Sequence, residues 1–449
     1  MFLKLNKTYF LFAGLLFLIL TVTVSETYLP LYIYHAASFV LYALVLLFFY
    51  SQKERFYTEI NLYLVIFSVS FIIVGVNNYI SYLYNNNLFM FFTKDAVFYY
   101  HMSLSMASKS FENGIYYFLG FYDLSDLGAV LVQSTIYRIM ESKLLLNIFY
   151  IGCGLIMAKA IYRISLNVMS KRYAFTCTLA YSLSSFMLFF HSSSLKESFM
   201  CMLIVLFFDQ YVLYRKNRMI QHAIYAVLFL MGLLLFRPFL IFLCLAGVFT
   251  GLLLERKKGL AGALSVIIFF SIFVALYSEF NFYYNKILKG GDIAYVLETK
   301  ESMVKGGVVF TYMVNILAQL IGPLPTLSPD ISATISFFSA GLLFRVLLGF
   351  FFWMGVFYCF KNRVNILYSL IFYALIEMSA LVSIIEGLEL RKSLSHFFVF
   401  YIVAFWFLDK YDLKSLVRQK YRIRWLFNIY AVVAFFIVIA WNWRVRVPI

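Results

Sequence analysis

The chain has 449 residues, 63% of them hydrophobic and only 13% charged, with a formal net charge of +16. A soluble domain is about half apolar and about a quarter charged, so this chain cannot cover its apolar surface in water. Lipid asks only that backbone polar groups bond internally, as helices do. The surplus of Lys and Arg falls in short loops, with no basic stripe interleaved with exposed aromatics, which argues against a nucleic-acid partner.

A span needs about 20 apolar residues. Lys4 and Lys7 precede the first apolar run and imitate a signal peptide, but no small-x-small cleavage site follows, so the run reads as a retained signal-anchor helix. Thirteen candidate spans follow in chain order: 8–25, 29–50, 60–82, 143–162, 173–190, 198–214, 220–236, 239–254, 259–278, 335–360, 365–385, 395–409 and 425–442. Cys153, Cys177, Cys201, Cys244 and Cys359 fall in or beside these runs and read as buried small hydrophobes. Their spacing fits neither a zinc site nor a disulfide framework. The aromatic content of 21% fits interfacial belts, though coding-DNA base composition would raise it too.

Basic loops orient the spans. Lys4 and Lys7 place the N-terminus in the cytoplasm. Lys53 with Arg55, Arg163 with Lys171 and Arg172, and Arg215, Lys216 and Arg218 then share that side. So do Arg256, Lys257 and Lys258, Lys361 with Arg363, and the six basic residues of 410–424. Arg444 and Arg446 run against this registry. The registry requires that 127–140, which is short and contains Arg138, does not cross. The expected architecture is an all-α, polytopic transmembrane bundle, one integral membrane domain over 1–449. Two larger outer loops, 83–142 and 279–334, contain interfacial helices.

Chemistry-bearing residues collect on the outer side. Ionisable groups at a span mouth or inside a span are costly unless paired or solvated, so they are candidate site residues. Asp95 with Tyr99, Tyr100 and His101 opens the first large loop. His191, Lys196 and Glu197 lie between two apolar runs, and Arg237-Pro238 forms a short turn. Asp292 lies in the second loop, Arg345 lies within a span, and Glu386, Glu389, Arg391 and Lys392 precede the span that His396 opens. Asp95 can serve as general base toward a sugar hydroxyl; the plainer role is a helix N-cap or surface charge. Lys196, Arg237 and Arg391 can hold phosphate oxygens, or snorkel to headgroups. Glu197 can simply neutralise Lys196, and Arg345 needs a partner or a water-filled cavity. The histidines lack metal-ligand spacing, so no metal is expected. No phosphate loop, Rossmann fingerprint or nucleophile elbow occurs. No cofactor is therefore expected, and an activated donor must already reside in the membrane.

Asp95-x-x-x-Tyr99 in the first outer loop resembles the corresponding region of GT-C membrane glycosyltransferases. The succession then runs through Asn147, Ser194-Leu195-Lys196-Glu197, Arg237-Pro238, Gly322-Pro323-Leu324-Pro325 and Glu386-Gly387…Arg391-Lys392. This order, over residues 95–400, resembles Wzy-type repeat-unit polymerases of O-antigen and capsule clusters. The chain departs from the Arg-x10-Gly element of some such proteins, since Gly247 comes one residue too early after Arg237.

The resemblance implies polymerisation of undecaprenyl-pyrophosphate-linked oligosaccharide repeats at the periplasmic face of a bacterial cytoplasmic membrane. Asp95, Lys196, Glu197 and Arg237 would be catalytic. Tyr99, Tyr100, His191, Arg345, Arg391 and Lys392 would bind substrate. The implied partners are the lipid-linked glycan, membrane lipid, a chain-length regulator and a flippase. The alternatives are a GT-C transferase using a polyprenyl-phosphate sugar, a lipid-linked oligosaccharide flippase, and a membrane acyltransferase.

Overall fold

A computed structural model describes residues 40, 42–85, 94–121, 124–255, 307–325, 338–383, 390–412 and 420–446. The expected spans 8–25 and 259–278, the first part of 29–50, and Asp292, Glu386 and Glu389 lie outside the described residues. Regular structure within them is helical throughout. After a helical stretch ending at Tyr50, the helices are α1 (Glu59–Asn85), α2 (Lys94–Ala107), α3 (Phe111–Phe121), α4 (Leu124–Ile139) and α5 (Lys143–Leu166). They continue with α6 (Lys171–Ser182), α7 (Ser185–Ser193), α8 (Lys196–Asn217), α9 (Ile220–Leu233) and α10 (Phe239–Glu255). The last are α11 (Gly307–Ile321), α12 (Ser339–Asn362), α13 (Asn365–Ser383), α14 (Leu390–Asp412) and α15 (Lys420–Arg446).

Among the described residues, seven helices are long and apolar enough to cross a membrane: α1, α5, α8, α12, α13, α14 and α15. The chain is thus built as a membrane-embedded helical protein. The expected span 173–190 is a bent pair, α6 and α7, meeting at 47°. At the break the Ser184 hydroxyl donates to the Tyr181 carbonyl at 2.7 Å, taking over an acceptor that a continuous helix would use. The expected spans 220–236 and 239–254 are the shorter helices α9 and α10. Pro238 has no N–H to continue the ladder, and the chain turns over 234–238, with the Arg237 N–H on the Leu233 carbonyl at 2.8 Å. The expected span 395–409 begins earlier, at Leu390, so Arg391 and Lys392 sit in its first turn rather than in a loop.

Helix α14 is the axis of the bundle, with nearly every residue from Ser393 to Asp409 buried. It packs on α12, α13, α6 and α8. Helix α1 is peripheral and two-faced: Leu62, Ile66, Ser70, Val74, Asn77 and Ser81 turn inward, while Ile60, Leu64, Phe67, Phe71 and Ile72 are exposed. That outer stripe repeats at helical spacing, and lipid solvates it where water would not.

The antiparallel run of helices sorts the charges to two ends. At one end Arg163 pairs with Asp209, Arg215 with Glu255, and Arg172 bonds the Tyr50 carbonyl. There Asp409 accepts from both the amide and the hydroxyl of Ser170, and Asn365, beside Arg363, reaches Glu255. The described basic loops around Arg163, Arg172, Arg215 and Arg363, all expected to be cytoplasmic, therefore share one end. At the opposite end α2, α3 and α4 fold on one another. Helix α4, which contains most of 127–140, packs at that end. Its Asp126, Gly128 and Gln133 meet Lys196, Leu235 and Ser194, all at helix termini.

Candidate functional site

The site starts where α7 gives way to α8. Ser194 ends α7 in the left-handed region, with φ 55°, and frees its carbonyl for Gln133 at 2.8 Å. Its hydroxyl receives Lys143 Nζ at 2.7 Å and donates to Asn147 Oδ1 at 3.1 Å. Leu195 is extended, and α8 opens on Lys196-Glu197. Glu197 in the first turn faces the positive end of the helix dipole.

Adjacent residues on a helix point about 100° apart and do not face each other. Glu197 consequently does not neutralise Lys196, as the sequence allowed. Lys196 turns to α4, where Nζ bonds Asp126 Oδ1 and the Ser125 carbonyl, the latter at 3.1 Å. Tyr99 of α2 donates to the same Asp126 oxygen at 2.8 Å. Burial, then the charges of Asp126 and Glu197 and this bond, push the Tyr99 phenol well above its usual value, so it remains a donor.

Glu197 turns to α14 and to the Arg237 turn. Arg391 Nε and Nη2 both reach Glu197 Oε1, at 2.9 and 2.8 Å, and its Nη1 bonds Asp95 Oδ2. Arg237 Nη2 stands 3.6 Å from Glu197 Oε1, a looser approach. The Glu197 side chain is fully buried, and its Oε2 has no hydrogen-bond partner among the described residues. Asp95, by contrast, is half exposed. The Arg237 turn is held by α4: Gly128 donates to the Leu235 carbonyl at 2.8 Å. A side chain at Gly128 would stand 2.7 Å from that oxygen and from the Phe236 ring, so only glycine permits the approach.

The structure therefore brings together Asp95, Tyr99, Lys196, Glu197, Arg237 and Arg391 and adds Asp126. The three cations, Lys196, Arg237 and Arg391, face three carboxylates, Asp95, Asp126 and Glu197. An incoming anion meets a formally neutral site and must compete with carboxylates, least so at Arg237.

Tyr100, His191 and Arg345 make contacts away from this cluster. Tyr100 donates to Glu141 at 2.7 Å, and that bond raises its phenol. His191 is buried against Ser198, with Nδ1 3.1 Å from Oγ. Lys392 is half buried one residue beyond Arg391. Arg345 is fully buried in α12: Nη1 donates to the Ile321 carbonyl at 3.0 Å and the guanidinium stacks 3.3 Å from the Phe400 ring centre. Among the described residues no three His, Cys, Asp or Glu side chains are placed to hold a metal, and the five cysteines are buried free thiols.

Taken together, fold and site define a helical membrane protein with a balanced ion cluster at the bundle end opposite the basic loops among the described residues. No family model matches this sequence, and neither does any curated protein.

Proposed function

We propose that the chain is a membrane glycosyltransferase that polymerises oligosaccharide repeats carried on undecaprenyl pyrophosphate, at the periplasmic face of a bacterial cytoplasmic membrane. The observation that supports this reading is the convergence of Arg237, Arg391 and Lys196 with Asp95, Asp126 and Glu197 at one bundle end. A pyrophosphate leaving group takes Arg237 first, because its ion pair is the longest of the set. Its forked geometry then lets it compete for Arg391. Asp95 loses its guanidinium in that exchange and is free to act as general base. The acceptor hydroxyl oxygen bonds the sugar's anomeric carbon as the carbon–oxygen bond to pyrophosphate breaks. The hydroxyl proton goes to Asp95, and the departing charge is stabilised by the two arginines. A flippase would supply the lipid-linked repeats, and a chain-length regulator would set the product's size.

Deleting the gene and profiling lipid-linked glycans tests this. Single repeat units capped on the final lipid acceptor are expected. Incomplete repeats would instead indicate a single-sugar transferase, and complete repeats stranded on the inner face a flippase. Restoring Arg237→Ala or Lys196→Ala chains at normal membrane levels should shorten the polymer; full-length polymer from both would overturn the proposal.

A further inference from the structure

A second ionisable pair lies within the bundle. Glu377 of α13 and His396 of α14 are 2% and 1% exposed, and their side chains face each other with Oε2 and Nδ1 3.5 Å apart. Ser395 donates to Glu377 Oε1. Oε2 and both imidazole nitrogens have no hydrogen-bond partner among the described residues. Buried polar groups in native structures are ordinarily satisfied, and ionisable groups inside spans are rarely idle.

Among the described residues, Tyr373, one turn away on α13, Cys244 of α10 and Cys201 of α8 are titratable groups near Glu377, and Lys392, one turn before His396 on α14, accepts from the Ser395 hydroxyl through its carbonyl. From α11, Gln319 reaches Ser393 of α14 at 2.9 Å and brings no charge. On the other flank the His396 ring meets Phe397 and Phe400. Arg345 stacks on the same Phe400 but spends its Nη1 on the Ile321 carbonyl. With one proton, the pair is neutral or internally compensated. With none it leaves a lone buried carboxylate, and with two a lone imidazolium, both costly in an apolar span.

The pair is also near the outer cluster. Arg391 and Ser395 are four residues apart on α14, so one helical turn, about 6 Å, separates the Arg391 level from the Ser395 level. On α8, Cys201 follows Glu197 by the same interval, so the two levels are also one turn apart on that helix. We propose that Glu377 and His396 form an intramembrane proton-binding site, holding one exchangeable proton, whose occupancy is coupled to the charge on Glu197. The site goes beyond glycosyl transfer and does not rest on it.

Dicyclohexylcarbodiimide, which reacts with protonated carboxyl groups in apolar surroundings, provides the probe. The full chain in lipid nanodiscs is treated across a pH series, and labelling of Glu377 is read by peptide mass spectrometry. Labelling should fall with rising pH through a single midpoint. Glu197→Gln removes a like charge, so Glu377 ionises more easily and the midpoint should drop by about half a pH unit or more. His396→Asn removes the compensating imidazole, so labelling should persist to higher pH; this variant keeps the test open if Glu197→Gln does not fold. Labelling that is absent or independent of pH would overturn the proposal. So would a midpoint that ignores both substitutions, or labelling suppressed by sodium at constant pH, which would make the occupant a metal ion. Intact labelling behaviour without any glycan polymerisation would sink the glycosyl-transfer reading and leave this site standing.

Discussion

Arg391 meets Glu197 edge-on, with Nε and Nη2 converging on one carboxylate oxygen at 2.9 and 2.8 Å. The carboxylate is fully buried and the guanidinium is not. The two ends of the pair are therefore not equivalent. Removing the arginine strands a buried charge with a single looser partner, Arg237. Removing the charge of Glu197 leaves Arg391 its bond to Asp95 and access to solvent. Arg391→Ala should thus cost about 3 kcal/mol of stability, and Glu197→Gln distinctly less. Thermal unfolding of both variants in detergent checks the order, and equal losses would contradict the geometry.

Asp126 joins two helices through one oxygen, accepting from both Lys196 and Tyr99. Asp126→Asn should loosen α2 and α4 from the start of α8 while leaving the spans in place. Hydrogen exchange should rise in residues 94–139 and remain unchanged in α12 and α14. Uniform loosening, or none, would mean that packing at Gly128 and Leu235 holds the cap without the ion pair.

The sequence made part of this site legible. Charges placed between apolar runs stand out, so Lys196, Glu197, Arg237 and Arg391 could be named from pattern alone. Pairing was not legible. Lys196 and Glu197 look like each other's partners in one dimension, yet helical rotation sends one to α4 and the other to α14. Asp126 carries no distinguishing signal, because an acidic residue early in a helix commonly serves the helix itself. Glu377 does carry one, as a lone carboxylate in the apolar run 365–385. What the run does not contain is its neighbour, since His396 comes from a different helix. Span number fared similarly: hydrophobic runs marked α9 and α10, but Pro238 and the turn before it left both short.

His191 depends on a glycine. A Cβ at Gly154 would stand 2.7 Å from His191 Nε2. Gly154→Ala should therefore push the ring from its place beside Ser198 and lower stability by about 1–3 kcal/mol, the usual cost of overpacking. His191→Ala in the same chain opens the space, so the double variant should recover more than additivity allows. Additive losses in a thermal-unfolding cycle would show that the ring is free to move aside.

The far end of the bundle separates stability from chemistry. Asp209 is buried and pairs with Arg163, with Gln210 donating to the same carboxylate at 3.1 Å. None of its contacts reaches Asp95, Glu197 or Arg237. Asp209→Ala strands the pair's guanidinium only in part, because the Arg163 side chain is one-third exposed. It should lower the unfolding temperature and reduce the amount of chain in the membrane. Arg237→Ala should instead leave the amount of folded chain nearly unchanged. That side chain contributes one long ion pair to a carboxylate that keeps Arg391, so its loss should cost less stability than Arg391→Ala, while glycan length collapses. Normalising polymer length to folded protein, measured by fluorescence-detected size exclusion, puts both variants on one scale. If Asp209→Ala shortens the glycan per folded molecule as much as Arg237→Ala does, the cations of the outer cluster have no special part in transfer, and the bundle end they occupy is a clamp rather than a site.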